Sequence, residues 1–441
     1  MINAKFWLIG LLLIAGLLLS AALTIWPPFL RFVEQSGVNV PASSAYLDYC
    51  QGIAWAVFLS ALILIWPVTL KDRIMLLMMW LIRCGVMLLV MLPYEEHYVG
   101  LDCWSYFVGA HTIASDPVAA LLKGGSDFVM LIGAMQLKIG PDSYHAMKLS
   151  FGYVGLLAIY LLYRAASALA GSQRPWMFWT LGLYPSILFW SSILGKDPVV
   201  LLGIAIHIWG LVRVAHHSEH KHLWTAIGGL GLASVVRVWM GPILLLPALL
   251  LFALKIRHKG WRLLTIVIGI ALFAVLAPAT MSRLDIDPTV DLFSSTQSFT
   301  RGWDKANSAL YTDIELNSLT DLILFTPRSV FTAYFRPLPG DLPHAFGLMA
   351  GCEDLALLLL TIWGFLKLRR RHWRNHFFLW ALALLATWGL AYSLVTYKDL
   401  GTAVRFRLQI MPVLLGVLCY LLARPAAKPR RPQEVRKFVY A

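Results

Sequence analysis

Charged residues are scarce in this chain: Asp, Glu, Lys and Arg make up only 14% of its 441 residues. Soluble domains carry roughly 25%. The shortfall excludes an ordinary soluble enzyme, and the mean hydropathy of +0.70 agrees. Acids are scarcer than bases, 23 against 37, so the formal net charge is +14. Cysteine is sparse as well, and Cys50, Cys84, Cys103, Cys352 and Cys419 show no metal-ligand spacing. Cys50 and Cys103 can pair in an oxidising compartment, although two unrelated cysteines at apolar sites are the commoner case. No internal repeat of two six-helix halves is visible, which speaks against a symmetric transporter.

What the chain has is hydrophobic length, 59% of its residues. Apolar runs of about 20 residues are helical spans rather than barrel strands. The expected fold is therefore an all-α polytopic membrane protein with about 12 transmembrane helices. They are placed at about 6–26, 51–70, 74–93, 144–163, 176–194, 198–214, 223–239, 241–256, 263–281, 346–366, 377–395 and 406–423. The first run is long enough to span, and the next follows soon, so it reads as an anchor rather than a signal peptide. The organisation is then two N-terminal helices in 1–73 and a transmembrane core in 74–281 with a loop at 94–143. A second long loop covers 282–345, C-terminal helices occupy 346–423, and a basic tail fills 424–441.

Lysine and arginine set the sidedness. Lys5, "KDR" at 71–73, Arg164 to Arg174, Arg213 to Lys221, "KIRHKGWR" at 255–262, "KLRRRHWR" at 367–374 and the tail hold most of the cations. They hold only Asp72, Glu219 and Glu434 among the acids. Both termini are expected in the cytoplasm, and the location expected is a bacterial inner membrane. The positive charge is then a topology signal, and nucleic-acid binding is not needed to explain it. The run "HHSEHKH" at 216–222 falls in a cytoplasmic turn and reads as a solvated basic connection rather than a metal site.

Polar chemistry gathers on the opposite face. In "PYEEHYVGLDCWSYFVGAHTIASDP", Glu95, Glu96 and Asp102 lie where the chain leaves the third span. Residues 103–114 read as a short apolar helix, and "SDP" at 115–117 as the start of another. Both are expected to lie flat in the outer interface. Glu95 and Glu96 are either interfacial polar residues or catalytic acids. Asp102, beside Leu101, Cys103 and Trp104, is a candidate general base. In "YPSILFWSSILGKDPVV", Lys196–Asp197–Pro198 forms a tight outer turn, either a self-paired ion pair or part of an anion site. Ser191 and Ser192 near a lysine lack the context of a Ser–Lys hydrolase.

Arg237, in "VVRVWMGP", breaks the positive-inside pattern and either snorkels or serves a site. In "FRPLPGDLPHAFGLMAGCEDLALL", two prolines aim Arg336, and Asp341, His344, Glu353 and Asp354 follow. His344 with acids allows a divalent metal, although the spacing is not diagnostic and no cofactor is required. Arg405 and Arg407, in "GTAVRFRLQIMP", are two apart and point to different sides of a helix. One can meet Glu353 or Asp354 and the other a ligand. Arginine suits phosphate, and a phosphate that is embedded in a bilayer and reachable from outside belongs to a polyprenyl lipid.

Three of these segments, "EEHYVGLDCWSYFVGAHTIASDP", "YPSILFWSSILGKDP" and "GTAVRFRLQIMP", resemble the GT-C superfamily of membrane glycosyltransferases. Within it the likeness is to the bacterial protein-mannosyltransferase and aminoarabinose-transferase types, and it spans about 74–423. The resemblance implies a polyprenyl-linked sugar donor, a glycan or lipid acceptor, and an essential acid in the first extracytoplasmic loop, here Asp102, Glu95 or Glu96. It implies that Lys196, Arg237, Arg336, Arg405 and Arg407 bind the lipid phosphate. Inversion at the sugar is expected. Two departures stand out. The acidic loop follows the third span rather than the first, and the acid pair is Glu95–Glu96 rather than one at Asp102. Polysaccharide polymerases and O-antigen ligases are similarly close in architecture. A multi-span transporter or flippase is the reading from another class.

Overall fold

The computed structural model describes residues 24–35, 45–97, 102–113, 117–256, 319–397 and 399–422, with a few scattered positions besides. Among the described residues the chain is helical and has no strand. Among the described residues six helices are long and apolar enough to cross a membrane. They are Ala45–Ile65 (α1), the run Leu70–Glu96, Tyr144–Ala170 (α7), Lys196–His216, Ala345–Leu366 (α14) and His376–Ser393. A seventh exists if Leu400–Arg407 (α16) and Met411–Leu422 (α17), bent by 66°, count as one.

Local chemistry explains the boundaries. Thr69 caps Leu70–Gly85 (α2) by accepting from the Asp72 N–H. A π-turn at Val86–Val90 then carries the helix into Met91–His97 (α3). Ser143 caps α7, and Gly171 ends it in the left-handed conformation that glycine tolerates best. Asn375 caps His376–Thr396 (α15), and Asp399 caps α16.

The expected span at 176–194 is two pieces, Pro175–Leu183 (α8) and Pro185–Trp190 (α9). Pro185 has no N–H to continue the ladder, and Tyr184 before it is extended. Leu223–Val236 (α11) and Met240–Lys255 (α12) are each shorter than a full crossing. They meet at Arg237, whose backbone is extended. The expected spans at 6–26 and 263–281 lie largely outside the described residues, as do most of the loop 282–345 and the tail. The loop 94–143 folds as three helices, Asp102–Ile113 (α4), Pro117–Lys123 (α5) and Gly125–Ile139 (α6).

The core is one connected apolar cluster. α7 packs against α1 and against Lys196–His217 (α10), and α10 packs against α11. The α10–α11 contact is close because it is made of small residues. A Cβ on Gly210 would come within 2.4 Å of the Ala226 backbone nitrogen. Such close approach is how membrane helices gain van der Waals packing. α15 packs against α12 and against Leu319–Phe335 (α13), which brings α16 over the start of α10.

Candidate functional site

The site gathers where α4, α10, α11 and α16 end. Asp197, in the first turn of α10, is buried. Its carboxylate does not pair with its neighbour Lys196. It accepts from Arg237 Nη2 at 2.7 Å and from Arg405 Nε at 2.6 Å. Arg237 is buried, and its guanidinium lies over the Phe406 ring, 4.1 Å from the centroid. Arg405 lies over Trp190 at 5.7 Å. Arg405 Nη1 also donates to Asp102 at 3.1 Å. Lys196 is half-buried in the same field, acted on by Arg237, Asp102, Arg405 and Asp197. Three cations and two carboxylates thus meet at one end of the bundle. Asp102 faces out, with 61% of its side chain exposed. Tyr106, one turn along α4, lines the same place. Burial pushes its phenol up to about 12.

The other expected residues are held elsewhere. Arg407 points the opposite way from Arg405 and is buried. It pairs with the buried Asp354, donates from Nε to the Ala333 carbonyl at 3.1 Å, and donates from Nη2 to the Arg336 carbonyl. With its donors so committed, it braces the fold rather than facing a phosphate. Arg336 is clamped by Asp341 through Nε at 2.9 Å and Nη2 at 2.7 Å. This is a fork-to-fork pairing within one loop that engages Nε and Nη2. Glu353 accepts from the Ser186 N–H at 3.1 Å.

Glu95 is buried and takes a hydrogen bond from Lys148 at 2.6 Å, which makes it a poor base for an incoming hydroxyl. Glu96 is exposed one residue on. The His344 ring accepts from the Gly347 N–H and caps α14. No group of three or more His, Cys, Asp or Glu side chains with metal-binding proximity occurs among the described residues. Cys50 and Cys103 are free thiols and form no disulfide.

Three buried groups escaped the reading of the sequence. Arg83, wholly buried in α2, donates to Ser191 Oγ at 2.8 Å, Ser192 Oγ at 3.0 Å and the Ser191 carbonyl at 3.2 Å. The two serines are thus spent on a structural cation. Gly155 makes room for this, since a Cβ there would meet the Ser191 carbonyl oxygen. Lys148 answers Glu95, and His145 pairs with Asp48. A signal existed for all three: an ionisable residue inside an apolar run needs a partner. Comparison with protein-family models, with curated proteins and with solved structures finds no match.

Proposed function

We propose that this chain is a GT-C-like membrane glycosyltransferase. It moves a sugar from a polyprenyl-phosphate or polyprenyl-diphosphate donor to a glycan or lipid acceptor on the extracytoplasmic face. The observation that carries the reading is the pair of arginines fixed on one buried carboxylate beside a half-buried lysine, with an exposed carboxylate at their edge. Arg405, Arg237 and Lys196 form the phosphate subsite, and Asp102 is the general base. Arg336 and Arg407 hold the surrounding helices.

Asp197 keeps the guanidinium groups preorganised, so little ordering is needed when an anion arrives. Asp102 takes the acceptor proton as the new bond forms, a contribution of roughly 10²–10⁴-fold. Attack opposite the departing phosphate inverts the anomeric centre, with no covalent intermediate. In this reading about 12 spans place both termini in the cytoplasm of a bacterial inner membrane. A polymerase or ligase variant uses the same site with a growing glycan as acceptor.

One observation favours a transporter or flippase of an anionic lipid: α16 and α17 form a broken helix whose bend carries the site arginine. The test is turnover of a short-chain polyprenyl-phosphate sugar by the protein in nanodiscs. Asp102→Asn keeps size and hydrogen bonding, and should lower turnover at least roughly a hundredfold while donor binding survives. Lipid transport without sugar transfer, unaffected by Asp102→Asn, would favour the second reading. If Glu95→Gln or Glu96→Gln abolishes turnover and Asp102→Asn does not, the base is the other acid of the same loop.

A further inference from the structure

Arg405 faces two carboxylates of unequal standing. Its Nε donates to Asp197 at 2.6 Å, and its Nη1 donates to Asp102 at 3.1 Å. The Asp197 side chain is 1% exposed and is held from a second side by Arg237. The Asp102 side chain is 61% exposed and stands at the first position of α4. One bond is thus anchored in the interior and the other lies at the open edge of the site.

A guanidinium presents its donors in a rigid fork, so the edge that carries Nη1 is the edge an arriving anion meets. One N–H of that nitrogen already serves Asp102. Without Asp102 the site would hold Lys196, Arg237 and Arg405 against Asp197 alone. Such an excess of positive charge, partly removed from water, is costly unless an anion answers it. Asp102 supplies that answer while no ligand is bound.

We propose that Asp102 is a built-in competitor for the lipid phosphate at Arg405. The phosphate displaces the Asp102 carboxylate from Nη1 while Asp197 keeps the guanidinium in place. Donor binding and release of the base are then one event. The oxygen that accepts from Nη1 is a weaker base toward an acceptor hydroxyl until the donor has seated. Binding free energies are linked reciprocally, so whatever weakens the Asp102–Arg405 contact tightens the anion. The inference rests on the reading of this cluster as a phosphate subsite, and it favours an order: donor first, acceptor second.

The experiment is equilibrium binding of farnesyl phosphate to the full chain in nanodiscs, for the parent, Asp102→Asn, Arg405→Ala and the double variant. Asp102→Asn should bind roughly three- to tenfold tighter than the parent, because a half-exposed ion pair and a like-charge repulsion are both removed. Arg405→Ala should bind at least about tenfold more weakly. In the double variant the gain from Asp102→Asn should shrink to the share that like-charge repulsion supplies, a coupling that a merely structural role for Asp102 would not produce. Farnesol, which lacks the phosphate, should bind parent and Asp102→Asn alike. If the parent binds farnesyl phosphate and Asp102→Asn binds it equally or more weakly, the competition is overturned and the phosphate subsite stands. A gain for farnesol as well also overturns it, since no anion is then involved. If neither parent nor variants bind farnesyl phosphate, the competition and the phosphate subsite fall together.

Discussion

Arg405 and Arg407 show how much two residues of spacing decide. On a helix they differ by roughly 200°. Arg405 therefore reaches Asp197 and Asp102, while Arg407 turns inward to Asp354. Removing one partner of a buried pair leaves an uncompensated charge and typically costs about 3–5 kcal/mol. Arg407→Ala should accordingly lower the melting temperature or abolish folded yield, and Arg407→Ala with Asp354→Leu should recover part of the loss. Arg405→Ala leaves Asp197 its second partner Arg237, so it should cost less stability than Arg407→Ala while losing lipid-phosphate binding. Equal stability of the two single variants, measured by thermal unfolding in one detergent, would erase the distinction between them. The opposed faces of the two arginines were legible from their spacing. Their partners were not, because Asp197 lies 208 residues from Arg405 and 40 from Arg237, and only the packed bundle brings the three together.

Helix caps and prolines are the most local of the forces that set the elements. Ser143 starts α7 and Asn375 starts α15, each by accepting its own downstream N–H groups. Pro185 splits an apolar run that hydropathy alone reads as one span. The small-residue seam between α10 and α11 is invisible to hydropathy because glycine and alanine carry almost no signal. It makes a sharp prediction. Gly210→Leu forces a side chain against the Ala226 backbone and should cost about 1–3 kcal/mol by overpacking. Gly228→Ala, on the same seam's partner helix but with nothing within 4 Å of the added Cβ, should not destabilise, and should gain up to about 1 kcal/mol of helix propensity. Comparable losses in the two variants would mean that the seam is not a close contact. The loop after α13 is an element of its own, closed by Arg336 on Asp341 and by the Leu338 N–H on the same carboxylate. The hydrogen bond from Arg336 holds the Asp341 carboxyl below the ordinary carboxylate value. A carboxylate depressed in the folded state adds stability above its unfolded value of about 3.9, and that stability is lost as pH falls through the folded value. Hydrogen exchange across 337–344 should therefore quicken below about pH 4, beyond its intrinsic pH dependence, and Asp341→Asn should show the quickened rate already at neutral pH. An acid step that persists in Asp341→Asn would point to another group.

At the scale of the whole molecule, charge is sorted to two ends. α10 connects them: it begins at Lys196 and Asp197 in the candidate site and ends at His217 beside the basic turn. Its 22 residues rise about 33 Å, close to the hydrocarbon thickness of a bilayer. At the far end Lys255 Nζ donates to the Ala215 carbonyl, and Asn375 donates to Tyr420, so three basic connections and the last helix meet there. Arg164, Tyr160 and Asp72 link another pair of connections of the same basic kind. The alternation of basic and non-basic connections made this polarity legible without a structure. The number of crossings was less so, because a short helix such as α11, followed by an extended Arg237, carries the same hydropathy as a full span. If the basic end is cytoplasmic, a reporter inserted at Ser172 must read cytoplasmic, as must one at Lys428. One at Gly340, in the loop closed by Arg336, must read extracytoplasmic, as must one at Asp304. The charge bias predicts more than a pattern, since it also sets the direction. Replacing the cluster Arg369, Arg370 and Arg371 by glutamine should weaken the preference and raise the fraction of molecules in which the Ser172 reporter is accessible from outside. Ser172 and Gly340 reading on the same side would break the link between the basic end and the site end that α10 spans.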